Sequence, residues 1–286
     1  MFRIVIDGAG DLPEGWDNQY GIDVIPLRVN IGGATYTQGP GFTHDDFYRM
    51  VKETRTIPKT SLPSIGQVKE FYRGIAQADD TILSIHISSR LSGTFATVEA
   101  AARELNEEAG RLCVTAFDSG AGSVAQAFMA REARCMEQAG ASLADILSRL
   151  ESIRKEWLVI FTLDTLEYAY LNGRINRLQN ALVSALQVKP IVLLQEGLLE
   201  MVDKVRTRQR SLERILEMVY ERLGGRRANV AVVHAADPTT AHEMLQKARQ
   251  ILNINEGMVA DAAIPVAANL GPKAIGIIAY PISNDT

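Results

Sequence analysis

The chain has 286 residues, 47% of them hydrophobic and 22% charged, which supplies a large core and excludes a disordered, self-repelling chain. A formal charge of −4 with only 6% aromatic residues lacks the basic, base-stacking footprint of a nucleic-acid binder. No run approaches the roughly 20 apolar residues that a membrane span requires, and the first strand-like segment meets Asp7 too soon for a signal peptide. Cys113 and Cys135 have no metal-ligand spacing and read as buried small side chains in a reducing cytoplasm, with no metal or disulfide needed.

Short apolar strands alternate with amphipathic helices. Phe2 to Ile6 and Val24 to Ile31 read as strands. Asp7-Gly8-Ala9-Gly10-Asp11 lacks the third glycine and the immediate helix of a dinucleotide site. Its aspartates fit hydrogen bonds to nearby amides better than a two-aspartate metal site. His44 stands with Asp45 and Asp46 at a helix start. Ser64-Ile65-Gly66-Gln67 is a capping box, opening a helix with Val68, Phe71, Tyr72 and Ile75 on one face. Thr81 to Ile87 is a strand with His86 as a satisfied core residue. It runs through Ser88-Ser89-Arg90-Leu91-Ser92-Gly93-Thr94 into a helix whose Val98, Ala101, Ala102 and Leu105 face inward. A strand at Leu112 to Phe117 and a long helix follow.

A second unit begins after the helix Leu143 to Ile153, with the boundary near Lys155, giving domains 1–155 and 156–286. Leu158 to Thr162 is a strand, and Pro190 to Leu194 and Leu199 to Val205 form a hairpin turning at Glu196-Gly197. A helix carries Leu212, Ile215, Leu216 and Val219. Asn229 to His234 is a strand, Asp237-Pro238 opens a helix, and strands at Met258 to Ile264 and Ala274 to Ala279 finish the unit. The fold class is therefore α/β in two domains: an N-terminal one with a parallel sheet and a C-terminal one with a mixed, partly antiparallel sheet.

Two loops rich in hydroxyls precede helices. A Ser/Gly turn from strand to helix leaves amide donors free, and with Ser92 and Thr94 these suit a carboxylate or phosphate. The same residues serve equally as helix caps. Thr60-Ser61-Leu62-Pro63-Ser64 is the second such loop. No Walker sequence, no Gly-x-Ser-x-Gly elbow and no nucleophile, base and acid trio is evident. From Glu156 onward the chain holds 14 basic and 14 acidic residues. Within that neutral half Lys204, Arg206, Arg208, Arg210 and Arg214 cluster, with Arg174 and Arg177 upstream and only Glu213 as an acid inside the run. Such a face suits an acidic partner surface or a nucleotide's phosphates.

Taken in order, Asp7 with Asp11-Leu12-Pro13, Thr60-Ser61-Leu62-Pro63-Ser64, Ile87 through Phe95, Asp118-Ser119, Leu171-Asn172-Gly173-Arg174-Ile175, Lys189-Pro190-Ile191, Val205-Arg206-Thr207-Arg208 and His234-Ala235-Ala236-Asp237 resemble the DegV family of bacterial lipid-binding proteins, nearly end to end. The resemblance implies a fold shared with one domain of dihydroxyacetone kinase, an α/β/α parallel-sheet domain joined to a two-layer α/β domain. It implies a cytoplasmic carrier rather than an enzyme, with no cofactor and no metal. Such a carrier holds a long-chain fatty acid in an apolar tunnel between the domains and presents its carboxylate to a separate fatty acid kinase. By the family pattern Thr60 or Ser61, Ser92, the Gly93 amide and Asn269 would contact the carboxylate, while Arg174, Arg206 and Arg208 would face the kinase. The chain departs from the pattern at Gly8 and Asn172. It departs again in Asn269-Leu270-Gly271-Pro272-Lys273, where Asn replaces a histidine and Lys a glycine. The alternative is a stand-alone small-molecule phosphotransferase or hydrolase using the same Ser/Thr-lined pocket.

Overall fold

The computed structural model describes residues 1–77, 79–108, 113–174 and 188–282. Leu112, Ile175 and Arg177 lie outside the described residues. The first part runs β1 (Phe2–Asp7), α1 (Trp16–Tyr20), β2 (Ile22–Ile25), β3 (Arg28–Ile31), β4 (Ala34–Thr37), α2 (His44–Thr54), β5 (Lys59–Ser61), α3 (Ile65–Ile75), β6 (Thr81–His86), α4 (Thr94–Glu107), β7 (Cys113–Asp118), α5 (Val124–Gln138) and α6 (Leu143–Glu156). The second runs β8 (Leu158–Thr162), α7 (Glu167–Leu171), β9 (Lys189–Gln195), β10 (Leu198–Val205), α8 (Arg208–Leu223), β11 (Ala228–His234), α9 (Pro238–Ile251), β12 (Ile254–Asp261), α10 (Ile264–Leu270) and β13 (Ile275–Pro281).

The first sheet has the order β2-β1-β6-β7 and every pairing in it is parallel. Parallel strands are covered on both faces, and alternation along the strands does the sorting. Val5 and Ile82 pack against Val68 and Tyr72 of α3 and Val98 of α4, while Ile4, Ile6, Leu83 and Ile85 pack against Phe128 and Met129 of α5 and Leu150 of α6. The result is an α/β/α sandwich. Within α3, Gly74 is exposed and a Cβ there would meet nothing within 4 Å. Gly74→Ala is expected to stabilise the protein by about 0.5–1 kcal/mol, read from its urea midpoint, because alanine restricts the unfolded chain and favours the helix.

The second sheet is mixed, in the order β10-β9-β8-β13-β11-β12. Its Leu158, Ile160, Ile275 and Ile277 face α8 and α9, whose Ile215, Val219, Met244 and Ala248 complete that core. The alternate residues, Val159, Phe161, Ile278 and Tyr280, turn toward the first part and join its core. The long helices α8 and α9 cover one face of this sheet, which makes the two-layer arrangement, and the other face meets the short helix α10 and the first part.

Some expectations need correction. Val24 to Ile31 is two strands, because Pro26 donates no ladder hydrogen bond; β2 stays in the parallel sheet, and β3 joins β4 and β5 in a small antiparallel sheet. The strand expected over Met258 to Ile264 ends at Asp261, and helix α10 follows. Both cysteines are exposed: Cys113 opens the edge strand β7, and Cys135 lies in the last turn of α5, past the buried stretch 124–131.

Candidate functional site

The face of the second sheet opposite α8 and α9 turns toward the first part, and an apolar cavity lies there. Val159, Phe161, Leu194, Val233 and Ile278 come from the second sheet, Leu27, Ile87 and Leu91 from the first part, and Pro265, Val266 and Leu270 from α10. Among the described residues, Thr60, Ser92, Ser123, Arg174, His234 and Asn269 are the polar side chains that line the cavity, set among many hydrocarbon ones. Such a site retains an apolar body and orients one polar end.

Strand alternation distinguishes the two hydroxyls of the first loop. Both sit on β5, paired to β3 as Val29 with Thr60 and Arg28 with Ser61. Thr60 lines the cavity, and Ser61, one residue on, is exposed and outside its wall. The second turn divides its labour. Ser88 Oγ donates to the Gly197 carbonyl at 3.1 Å, and Arg90 Nη1 donates to the Glu196 carbonyl at 2.8 Å, so this end clasps the β9–β10 hairpin. Ser92 Oγ bonds Thr94 Oγ1 at 2.8 Å and accepts from the Thr94 amide at 3.2 Å, capping α4 while it lines the cavity. Gly93 is exposed and is not part of the wall. Asn269 lines the cavity from α10, with Nδ2 at 3.5 Å from Thr60 Oγ1. Lys273 is exposed and brings no charge to the wall.

Of the three arginines expected to face a partner, Arg174 lines the cavity and donates to the Asn172 carbonyl. Asn172 Nδ2 in turn donates to the carbonyls of Pro58 and Ala268, at 3.1 and 3.0 Å, tying β5 to α10. Arg206 is exposed. Arg208 pairs with Asp237 at 3.0 Å. The run is not uncompensated: Arg210 pairs with Glu217 at 2.6 Å and Arg214 with Asp203 at 2.9 Å. These acids lie just outside the basic run in sequence, and helical spacing and the adjacent strand bring them in.

The wall helix α10 is held from outside itself. Its N-cap, Ala263, has no side-chain oxygen, and the acceptors come from the first part. Asp11 Oδ1 accepts from the Ala263 amide at 2.7 Å, and Gln38 Oε1 accepts from the Ile264 amide at 2.8 Å. Asp11 also accepts from the Ser123 hydroxyl, and Ser123 lines the cavity. Burial pushes the Asp11 carboxyl up to about 7; the Ser123 and Ala263 hydrogen bonds oppose the rise, and the neighbouring Asp261 charge adds to it. His234, 3.2 Å from Asp261 and also in the wall, is held below its ordinary value by burial, against the attraction of Asp261. His86, by contrast, is a core residue bonded to Ser84 at 2.7 Å and Asp7 at 3.0 Å. Asp7 serves its turn, accepting from the Ala9 and Ile87 amides at 2.9 Å each.

The sequence does not mark Ser123 as a wall residue, nor α10 itself, whereas His234 closes a strand ahead of Asp237-Pro238, a position where open sheets place ligand contacts, and it does line the wall. Ser123, at φ 63° and ψ −151°, starts α5 without capping it by its side chain; nothing local in the sequence marks that. Among the described residues no group of three or more His, Cys, Asp or Glu could hold a metal ion, and no helix is long and apolar enough to cross a membrane.

This arrangement has counterparts. A solved DegV family structure from Thermus thermophilus, described by its fatty acid binding, superposes with a TM-score of 0.89 at 31% identity, covering 98% of this chain and 99% of that one. DegV of Bacillus subtilis, a fatty acid binding protein, superposes with a TM-score of 0.88 at 29% identity, covering 98% and 99%. A Thermotoga maritima protein named fatty acid-binding protein is 27% identical over 280 residues, 96% of each chain. The family model described as uncharacterised DegV proteins matches residues 1–281. With the parallel sheet, the mixed sheet and the Thr60, Ser92 and Asn269 wall all inside that span, this chain belongs to the DegV family.

Proposed function

We propose that this protein binds one long-chain fatty acid in the cavity between its two sheets and is a carrier rather than an enzyme. The observation that carries the reading is the wall itself, hydrocarbon for the most part, with Asn269 beside Thr60 and with Ser92, Ser123, Arg174 and His234 as its other polar side chains among the described residues. The relatives described as fatty acid-binding proteins support it. In this reading residues 1–155 supply the hydroxyls for the carboxyl end, with the Gly93 amide and Ser61 at its margin, and residues 156–286 close over the chain. The bound acid is then presented to a separate kinase subunit in the cytoplasm, with Arg174, Arg206 and Arg208 on the docking side. Arg206 is the member of that set most open to a partner.

Binding by burial has a measurable signature. Each methylene removed from water contributes about 0.8 kcal/mol, which is roughly fourfold in affinity. Calorimetric titration of the delipidated protein with saturated fatty acids from octanoic to octadecanoic acid is expected to show a gain of about fourfold per methylene, ending where the cavity ends. Absence of saturable binding across the series would overturn the carrier reading.

A further inference from the structure

The polar part of the cavity has one feature that a generic carboxylate site lacks. Asn269 Nδ2 donates to the Pro265 carbonyl at 2.8 Å, four residues back along α10. A carbonyl oxygen only accepts, so the amide nitrogen must occupy that side and the orientation of the side chain is fixed. Its Oδ1 is then left buried with no hydrogen-bond partner among the described residues. Thr60 Oγ1 receives only the long contact of 3.5 Å from Asn269 Nδ2, and among the described residues no acceptor takes its own hydroxyl proton. An acceptor awaiting a donor thus stands beside a donor awaiting an acceptor, both on residues of the cavity wall.

That pair is complementary to a group carrying both functions on one carbon. A carboxylic acid offers its O–H to Asn269 Oδ1 and its carbonyl to the Thr60 hydroxyl; a primary amide does the same with an N–H. An ionised carboxylate has no proton to give and would set a negative oxygen against the amide oxygen. Resting on the fatty-acid reading above, we propose that this protein binds its acyl ligand with a neutral, hydrogen-donating head group, the protonated acid or the primary amide, and that Asn269 is the residue that selects it. The influences against this choice are the charged and titratable side chains in the same wall. Arg174 favours the ionised acid, and its guanidinium already donates to the Asn172 carbonyl. His234 lies in the wall as well, and burial favours its uncharged form.

The test uses the intact, delipidated protein with dodecanoic acid, dodecanamide and methyl dodecanoate, titrated calorimetrically at pH 6, 7 and 8 in buffers of different ionisation enthalpy. The expected result is uptake of one proton per molecule of acid bound at pH 7 and 8, with acid affinity falling about tenfold per pH unit. The amide should bind with an affinity that pH does not change and at least match the acid at pH 8, and the ester, lacking a donor, should bind at least tenfold more weakly than the amide. The amide does not titrate, so any pH effect from His234 or other protein groups appears with it too and is separated from the ligand's own proton. Asn269→Leu is expected to abolish the preference of amide over ester; if that variant does not fold, proton uptake by the parent decides. Acid binding without proton uptake, together with an amide bound at least tenfold more weakly than the acid, overturns this proposal and leaves the fatty-acid reading standing. If none of the three binds, both fall.

Discussion

Asp11→Asn is expected to leave the protein nearly unchanged in stability at pH 4 and to make it clearly more stable than the parent at pH 8. The Asp11 carboxyl is 2% exposed, and burial raises it to about 7 in the folded protein, whereas in the unfolded chain it returns to the ordinary value near 4. Between these values the folded state holds a proton that the unfolded state has released. Stability from this group is therefore full below about pH 4 and is lost progressively as pH rises through 7. Between pH 5 and pH 8 the loss is about 2–3 kcal/mol, since each unit of difference is worth about 1.4 kcal/mol. Asparagine has the shape of the protonated acid. Its oxygen can accept from the Ala263 amide, its nitrogen can donate to Ser123, and it never ionises. Urea unfolding of parent and variant at pH 5 and pH 8 measures the effect as a gap between midpoints that widens with pH. A gap of equal size at both pH values would show that Asp11 is charged throughout and that burial does not govern it.

The same residue shows what sequence reasoning could reach and what it could not. Asp11 reads as a turn former bonding nearby amides, and Asp7 behaves that way. Asp11 instead holds an amide 252 residues away, a relation that leaves no trace in local pattern. Thr60 and Ser61 could not be told apart because β5 has only three residues, too few to display an alternation, and the pairing with β3 decides which one faces the cavity. Helix α10 has seven residues with a proline in its first turn and capping acceptors borrowed from elsewhere, so neither periodicity nor a cap announces it. Asn269 was placed by resemblance alone.

What alternation and capping govern was legible. His86 follows an inward-facing pattern and is core, Ser64 forms its capping box with Gln67, and the parallel and mixed sheets follow from how strands and helices alternate. The basic run failed for the same reason that Asp11 did. Its acids stand on later turns of α8 and on β10, outside the stretch of chain that holds the basic residues.

Gly276→Ala is expected to cost about 3 kcal/mol or more, the largest loss from any single methyl group argued for this chain. Gly276 sits on β13 opposite Phe161 of β8 and Val233 of β11, in the middle of the second sheet and in the cavity wall. A Cβ there would stand 2.3 Å from Phe161 Cβ and 2.6 Å from the Ile160 carbonyl oxygen, where directly opposed Cβ atoms in antiparallel strands normally keep about 4.5–5.5 Å. The obstructing atoms belong to the backbone and to a Cβ, which no rotamer change can move, so relief requires β8 and β13 to part. Parting them disturbs both cores at once, because Ile277 packs on the helix side and Ile278 on the cavity side. Gly39→Ala supplies the control, since a Cβ at Gly39 meets nothing within 4 Å. It should move the urea midpoint by less than about 0.5 kcal/mol. If Gly276→Ala unfolds at the same urea concentration as Gly39→Ala, then β8 and β13 do not approach as closely as Gly276 allows.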